Sequence, residues 1–123
     1  MHVQDIMVAE LVTIRSTTTI ANAAAVMLQR GAALLFVTHG DRLLGVITDS
    51  DILYDVVAQG FPTDRKVWEF MELNPPVANP EMDIIELISI MDKYRLTRLP
   101  VVDNGKLIAS VTLADIAEKL DLM

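Results

Sequence analysis

Apolar residues along the chain switch between two rhythms, and the switches predict its elements. Ile20, Ala23, Ala24, Met27 and Leu28 recur at helical spacing, as do Ile84, Leu87, Ile88 and Met91, so each stretch predicts a helix with one apolar face. Asp83-Ile84-Ile85-Glu86 opens the second of these like a capping box. Short β-type runs follow each helix. Leu34 to Val37 and Leu43 to Ile47 are joined by His39-Gly40-Asp41; Leu99 to Val102 and Leu107 to Thr112 are joined by Asp103-Asn104-Gly105. Both read as hairpins. Val12-Thr13-Ile14 and Val77-Ala78 predict a short extended piece before each helix. A last helix closes each half, from Asp49 to about Gln59 and from Leu113 to about Leu120.

The two halves are copies. An offset of 64 residues pairs Val3 with Val67, Met7 with Met71, Ile20 with Ile84, Met27 with Met91, Leu35 with Leu99, Val37 with Val101, Thr48 with Thr112, Asp51 with Asp115 and Ile52 with Ile116, without a gap. A repeat held in one register for so long makes each half one supersecondary unit of order β-α-β-β-α. The fold class expected is therefore α/β (α+β), with a first unit over 1–59, a turn-rich linker over 60–66 and a second unit over 67–123.

This pattern resembles the CBS motif. The resemblance rests on Arg98-Leu99-Pro100-Val101-Val102-Asp103-Asn104-Gly105-Lys106 and Val111-Thr112-Leu113-Ala114-Asp115-Ile116 in one half, and on Gly45-Val46-Ile47-Thr48-Asp49-Ser50-Asp51-Ile52 in the other. Val3 to Met7 and Val67 to Met71 look like the family's lead-in segments. The resemblance implies two tandem motifs related by a pseudo-twofold axis, together one Bateman module, with AMP, ADP or ATP, or in some members S-adenosylmethionine or NADH, bound in the cleft between motifs. It also implies pairing into homodimers.

Composition narrows the function. The chain has 123 residues, no cysteine, and 17 acidic against 10 basic residues, for a net charge of -7. That field repels nucleic acid and anionic membranes, and neither is expected as a partner. No apolar run reaches the length of a membrane helix. Met1-His2-Val3-Gln4-Asp5 lacks the basic and apolar parts of a secretory signal, so a cytoplasmic location is expected. His2 and His39 are the only imidazoles and stand on a terminus and a turn. No catalytic residue, metal site or required cofactor is expected, and the chain reads as a binding protein rather than an enzyme.

The candidate site lies where a strand gives way to a helix. At Thr48 and Asp51, repeated as Thr112 and Asp115, a carboxylate can accept hydrogen bonds from ribose hydroxyls while the hydroxyl and nearby amides meet a phosphate. Ser50 and Asp49 stand beside the first pair. The same Thr-x-x-Asp pattern is also a capping box that starts a helix. By resemblance, adenine would lie against Thr13, Ile14, Ala33, Leu34, Leu35 and Ile47 in one half, and Val77, Ala78, Thr97, Arg98, Leu99, Pro100 and Val111 in the other.

The position before the final Asp, basic in many nucleotide-binding motifs, is Ser50 here and Ala114 in the repeat. Arg98, Arg15, Lys66 or Arg65 is left to meet a phosphate. AMP is therefore favoured over ADP and ATP, a triphosphate being poorly held here without a divalent cation such as magnesium. Losing either Asp is expected to cost about 1.5–3 kcal/mol of binding and less of stability. The alternatives are a ligand-free dimerisation or docking scaffold, or a binder of S-adenosylmethionine or NADH; any output must reach a separate effector protein. Ala109 stands where the first half has Gly45, its methyl narrowing a backbone approach. Phe61, Trp68 and Phe70 near the linker are expected to pack, with contact to a partner as the alternative.

Overall fold

In the computed structural model, which describes residues 1–120, β1 (Thr13–Arg15) leads into α1 (Ile20–Arg30), followed by the hairpin of β2 (Leu34–His39) and β3 (Arg42–Thr48). Helix α2 (Asp49–Asp51) runs on as a π-helical turn over Ile52–Val57. After the linker comes a two-residue strand, β4 (Glu72–Leu73). The second half repeats the order with α3 (Ile84–Tyr94), β5 (Arg98–Asp103), β6 (Lys106–Thr112) and α4 (Leu113–Lys119).

The 64-residue offset is kept in the hydrogen-bond register. Leu34 pairs with Thr48 as Arg98 pairs with Thr112, and Phe36 with Val46 as Pro100 with Ser110. Even the bulge recurs, between Val37 and Thr38 and between Val101 and Val102. The turns differ slightly. Asn104 and Gly105 both take positive φ, as a type I′ turn requires, whereas Gly40 alone does so in the first hairpin.

Packing divides the chain differently from the repeat. One compact unit is Val12–Pro75; the other joins Met1–Leu11 to Pro76–Met123. The lead-in segments have changed places. Val67, with Phe70 and Met71, packs in the core of Ile14, Ile20, Leu35, Val37, Ile47 and Val56, while Val3 and Ile6 pack with Leu87, Leu99, Val101, Val111 and Ile116. Backbone bonds fix each: Val67 N–H donates to Thr18 O at 2.9 Å, and Val3 N–H to Met82 O at 2.9 Å. The motifs at 1–59 and 67–123 and the units that fold around one core are thus two separate divisions of the chain.

Gly45 shows why the first exchange is close. A Cβ there would lie 2.4 Å from Glu72 O, so only glycine admits β4, which pairs Leu73 with Gly45 and Glu72 with Val46. Ala109 occupies the equivalent place in the other unit, and there the lead-in contributes one bridge, Val8 to Ser110. A second strand is also shortened. Ala78 makes a single parallel bridge to Val101 where β1 makes three pairs with β2, because Pro76 and Pro80 flank it and have no N–H to donate.

The helical faces are narrower than their spacing implied. Ile20, Ala23 and Met27 are buried in α1, but Ala24 is exposed and Leu28 is 86% exposed. In α3 Ile84, Leu87 and Met91 are buried, while Ile88 is 39% exposed. Each helix touches its core along a narrow line of about two turns, and Ala24, Leu28 and Ile88 beside that line stay exposed. Asp83 caps α3 by accepting from Ile85 N–H at 2.8 Å, with Glu86 exposed rather than reciprocating.

The linker is ordered by a charge clip. Arg65 Nε donates to Glu69 Oε1 at 2.7 Å, and its guanidinium sits 4.8 Å from the Phe61 ring and 5.6 Å from that of Phe70. The bond from Arg65, then that from the Lys66 N–H, holds the Glu69 carboxyl below its usual range. Phe70 packs as expected. Trp68 does not, and is 57% exposed.

Candidate functional site

Each expected half-site lies wholly inside one compact unit. In the first, Thr48 ends β3 next to the start of β2: Leu34 is its ladder partner, and Asp49 N–H donates to Ala33 O at 2.9 Å. Thr48 and Asp51 form a reciprocal capping box. Thr48 N–H donates to Asp51 Oδ2 at 2.8 Å, and Asp51 N–H to Thr48 Oγ1 at 3.1 Å. The other unit repeats it, with Thr112 N–H to Asp115 Oδ2 at 2.9 Å, Asp115 N–H to Thr112 Oγ1 at 3.0 Å, and Leu113 N–H to Thr97 O at 2.9 Å.

The helix-starting role of Thr-x-x-Asp is therefore present in both halves, and it leaves chemistry to spare. Each box uses Oδ2, and among the described residues Oδ1 of Asp51 and of Asp115 has no hydrogen-bond partner. Both carboxylates are half-buried. Asp115 also lines an open depression of about 400 Å³ with Asp5, Ile6, Met7, Val8, Glu118 and Lys119. The lead-in thus supplies a wall that a reading of the motif by itself did not foresee. Asp49 turns back on its own chain, Oδ1 accepting from Ser50 N–H at 2.8 Å, and both residues are exposed.

The residues expected around adenine separate by face. Side chains alternate along a strand, so Ile14, Leu35 and Ile47 point into one core and Ala78, Leu99 and Val111 into the other. They can offer a ligand only their backbone. Thr13 and Leu34 lie on the opposite face beside Thr48, with Ala33 at its edge; Arg98 and Pro100 lie beside Thr112, with Thr97 at the edge and Val77 one residue before the Ala78 bridge. Of these Thr13, Ala33, Val77, Thr97 and Arg98 are exposed. Arg98 Nη1 donates to Ser110 Oγ at 3.3 Å, and Ser110, 2% exposed, is the one buried polar residue among the described residues.

The CBS domain signature matches residues 3–58 and again residues 67–122. This chain belongs to the CBS domain family. It is similar to the CBS domain-containing protein YhcV of Bacillus subtilis, with 32% identity over 115 residues, 94% of this chain and 82% of that protein. Among solved structures, Hypoxic Response Protein I with two coordinated zinc ions has a TM-score of 0.87 and 28% identity, covering 96% of this chain and 98% of that one. The CBS domain pair of protein MJ0100, in complex with 5′-methylthioadenosine and S-adenosyl-L-methionine, has a TM-score of 0.84 and 26% identity, covering 98% and 96%. Two tandem CBS domains and a mixed α and β fold are thereby established. Among the described residues no group of three or more His, Cys, Asp or Glu is placed to hold a metal ion, and no helix is long and apolar enough to cross a membrane.

Proposed function

We propose that this CBS pair is a regulatory module that binds an adenosine-containing ligand at Thr48–Asp51 and Thr112–Asp115, with AMP favoured over ADP and ATP. The observation that carries the reading is the uncommitted Oδ1 of each capping carboxylate beside the exposed start of a strand. A carboxylate oxygen held in this way accepts from vicinal ribose hydroxyls without further ordering. The complex of MJ0100 with adenosine ligands supports the ligand class and makes S-adenosylmethionine the alternative. The ligand acts by linkage, favouring the arrangement that binds it, and a separate effector protein reads the change. We place the module in the cytosol, where such ligands are abundant, and assign it no catalytic step: His39 is exposed on a hairpin turn.

A second reading, a docking scaffold without ligand, is favoured by Leu28 at 86% and Ile85 at 72% exposure on the first helix of each motif. A thermal-shift panel of AMP, ADP, ATP, S-adenosylmethionine and NADH, each with and without magnesium, separates the two. Binding should raise stability by about 2.7 kcal/mol at a hundredfold excess over Kd. A melting temperature indifferent to all five ligands would leave the scaffold reading standing.

A further inference from the structure

The two half-sites share a register but not a charge. Position by position, Leu34, Asp49, Asp51, Tyr54 and Asp55 of one unit correspond to Arg98, Leu113, Asp115, Glu118 and Lys119 of the other. The first set carries three negative charges and no positive one. The second is neutral, with two cations and two anions, and Asp5 of the lead-in adds one anion to its wall.

Placement sharpens the contrast. Arg98 is the ladder partner of Thr112 itself, and its guanidinium is steadied by the buried Ser110 hydroxyl. In the other unit the equivalent pair is Leu34 and Val46, so the arginine and the serine that holds it are both replaced by apolar side chains. Lys119 lines the depression that Asp115 faces, and its counterpart is Asp55. None of the cations that the sequence offered to the first half-site reaches it. Arg15 pairs with Thr38, four ladder positions from Leu34, or about 13 Å along the strand. Arg65 is held by Glu69 between two phenylalanine rings, and Lys66 bridges to Thr19, beyond that same far end of β1. Arg30 at the end of α1 does not separate the sites, because Lys93 and Arg95 end the equivalent helix.

Resting on the adenosine reading above, we infer that the half-sites divide ligands by charge. The Thr112–Asp115 site takes an anionic adenosine, a nucleoside monophosphate whose phosphate meets Arg98 and Lys119. The Thr48–Asp51 site takes an adenosine whose 5′ substituent carries no net negative charge, a sulfonium or thioether nucleoside. Ser110 is a positioning residue that acts through Arg98. One CBS pair would then report two adenosine pools at once.

Calorimetric titration of the full chain with AMP and with S-adenosylmethionine tests this. Arg98→Leu, Lys119→Asp and Asp115→Asn should each weaken AMP about tenfold or more, as loss of a charge-assisted contact does, and leave S-adenosylmethionine unchanged. Asp51→Asn should do the reverse. Leu34→Arg should let a second equivalent of AMP bind, and Ser110→Ala should weaken AMP alone. AMP binding that falls equally in Asp51→Asn and Asp115→Asn, or that survives both Arg98→Leu and Lys119→Asp, would overturn the division while leaving the adenosine reading intact. A parent that binds neither nucleotide overturns both. Arg98 and Lys119 are exposed, so these variants test contact rather than folding, and melting temperatures recorded alongside confirm it.

Discussion

Asp51 and Asp115 each cap a helix with one carboxylate oxygen and keep the other for the proposed ligand. Because Oδ2 closes a capping box in both halves, replacing either residue with alanine removes a cap as well as the proposed ribose contact. The stability loss expected is about 1 kcal/mol, larger than the sequence by itself implied, and denaturant melts of Asp51→Ala and Asp115→Ala check it. Asn would keep an acceptor and lose less. Backbone conformation supplies a sharper pair of tests. Arg95 ends α3 at φ 54 where Gly31 ends α1 at φ 61, so Arg95→Gly should stabilise by about 1 kcal/mol, relieving a left-handed residue at an exposed helix end. Gly45→Ala should destabilise by about 1–3 kcal/mol, since its methyl meets the Glu72 carbonyl with no flexible side chain to yield. A Gly45→Ala variant as stable as the parent would remove the close-approach argument. At this scale much was legible: Gly45 against Ala109 stood out in the repeat, although what approached Gly45 was a strand of the chain itself.

Elements were legible wherever the repeat could vouch for them. Both hairpins, their matched registers and three of the four Thr- or Asp-capped helices follow from patterns visible in either copy, and the 64-residue offset made each prediction twice. The exceptions have physical causes. The π-helical turn after Asp51 leaves no trace, because Ile52 and Val56 are spaced as any helix spaces them and the wider turn shows only in bonds such as Ala58 N–H to Leu53 O. The exchange of lead-ins is equally silent. Hydrophobic spacing marks Val3 and Val67 as buried, but both cores are apolar and neither residue specifies which one receives it. The exchange has a crossed signature. Val3→Ala should destabilise by about 2 kcal/mol and speed amide exchange in β5 and β6, some hundred residues downstream; Val67→Ala should do so in β2 and β3. Native-state hydrogen exchange reads this directly, and protection lost in the strands of its own motif would contradict the packing.

For the molecule as a whole, net charge and surface apolarity pull in opposite directions. Seven excess negative charges oppose self-association at low salt, while Leu28 on α1 and Ile85 and Ile88 on α3 stay exposed. If these side chains make a homodimer, sedimentation should show the dimer growing with salt as the repulsion is screened. The double variant Leu28→Glu with Ile85→Glu should be monomeric throughout while its melting temperature changes little, since neither side chain is buried. A dimer that persists in the variant would place the interface elsewhere.

The swapped segments also set a timetable for a ribosome. A nascent chain can close the core of the unit from Val12 to Pro75 as soon as Met71 and Leu73 have left the exit tunnel, since every residue of that core has been made by then. Val3 and Ile6, translated well before their packing partners, must wait for Leu99 and Val111 before they find shelter. Until those strands emerge, these residues are a stretch a chaperone would meet.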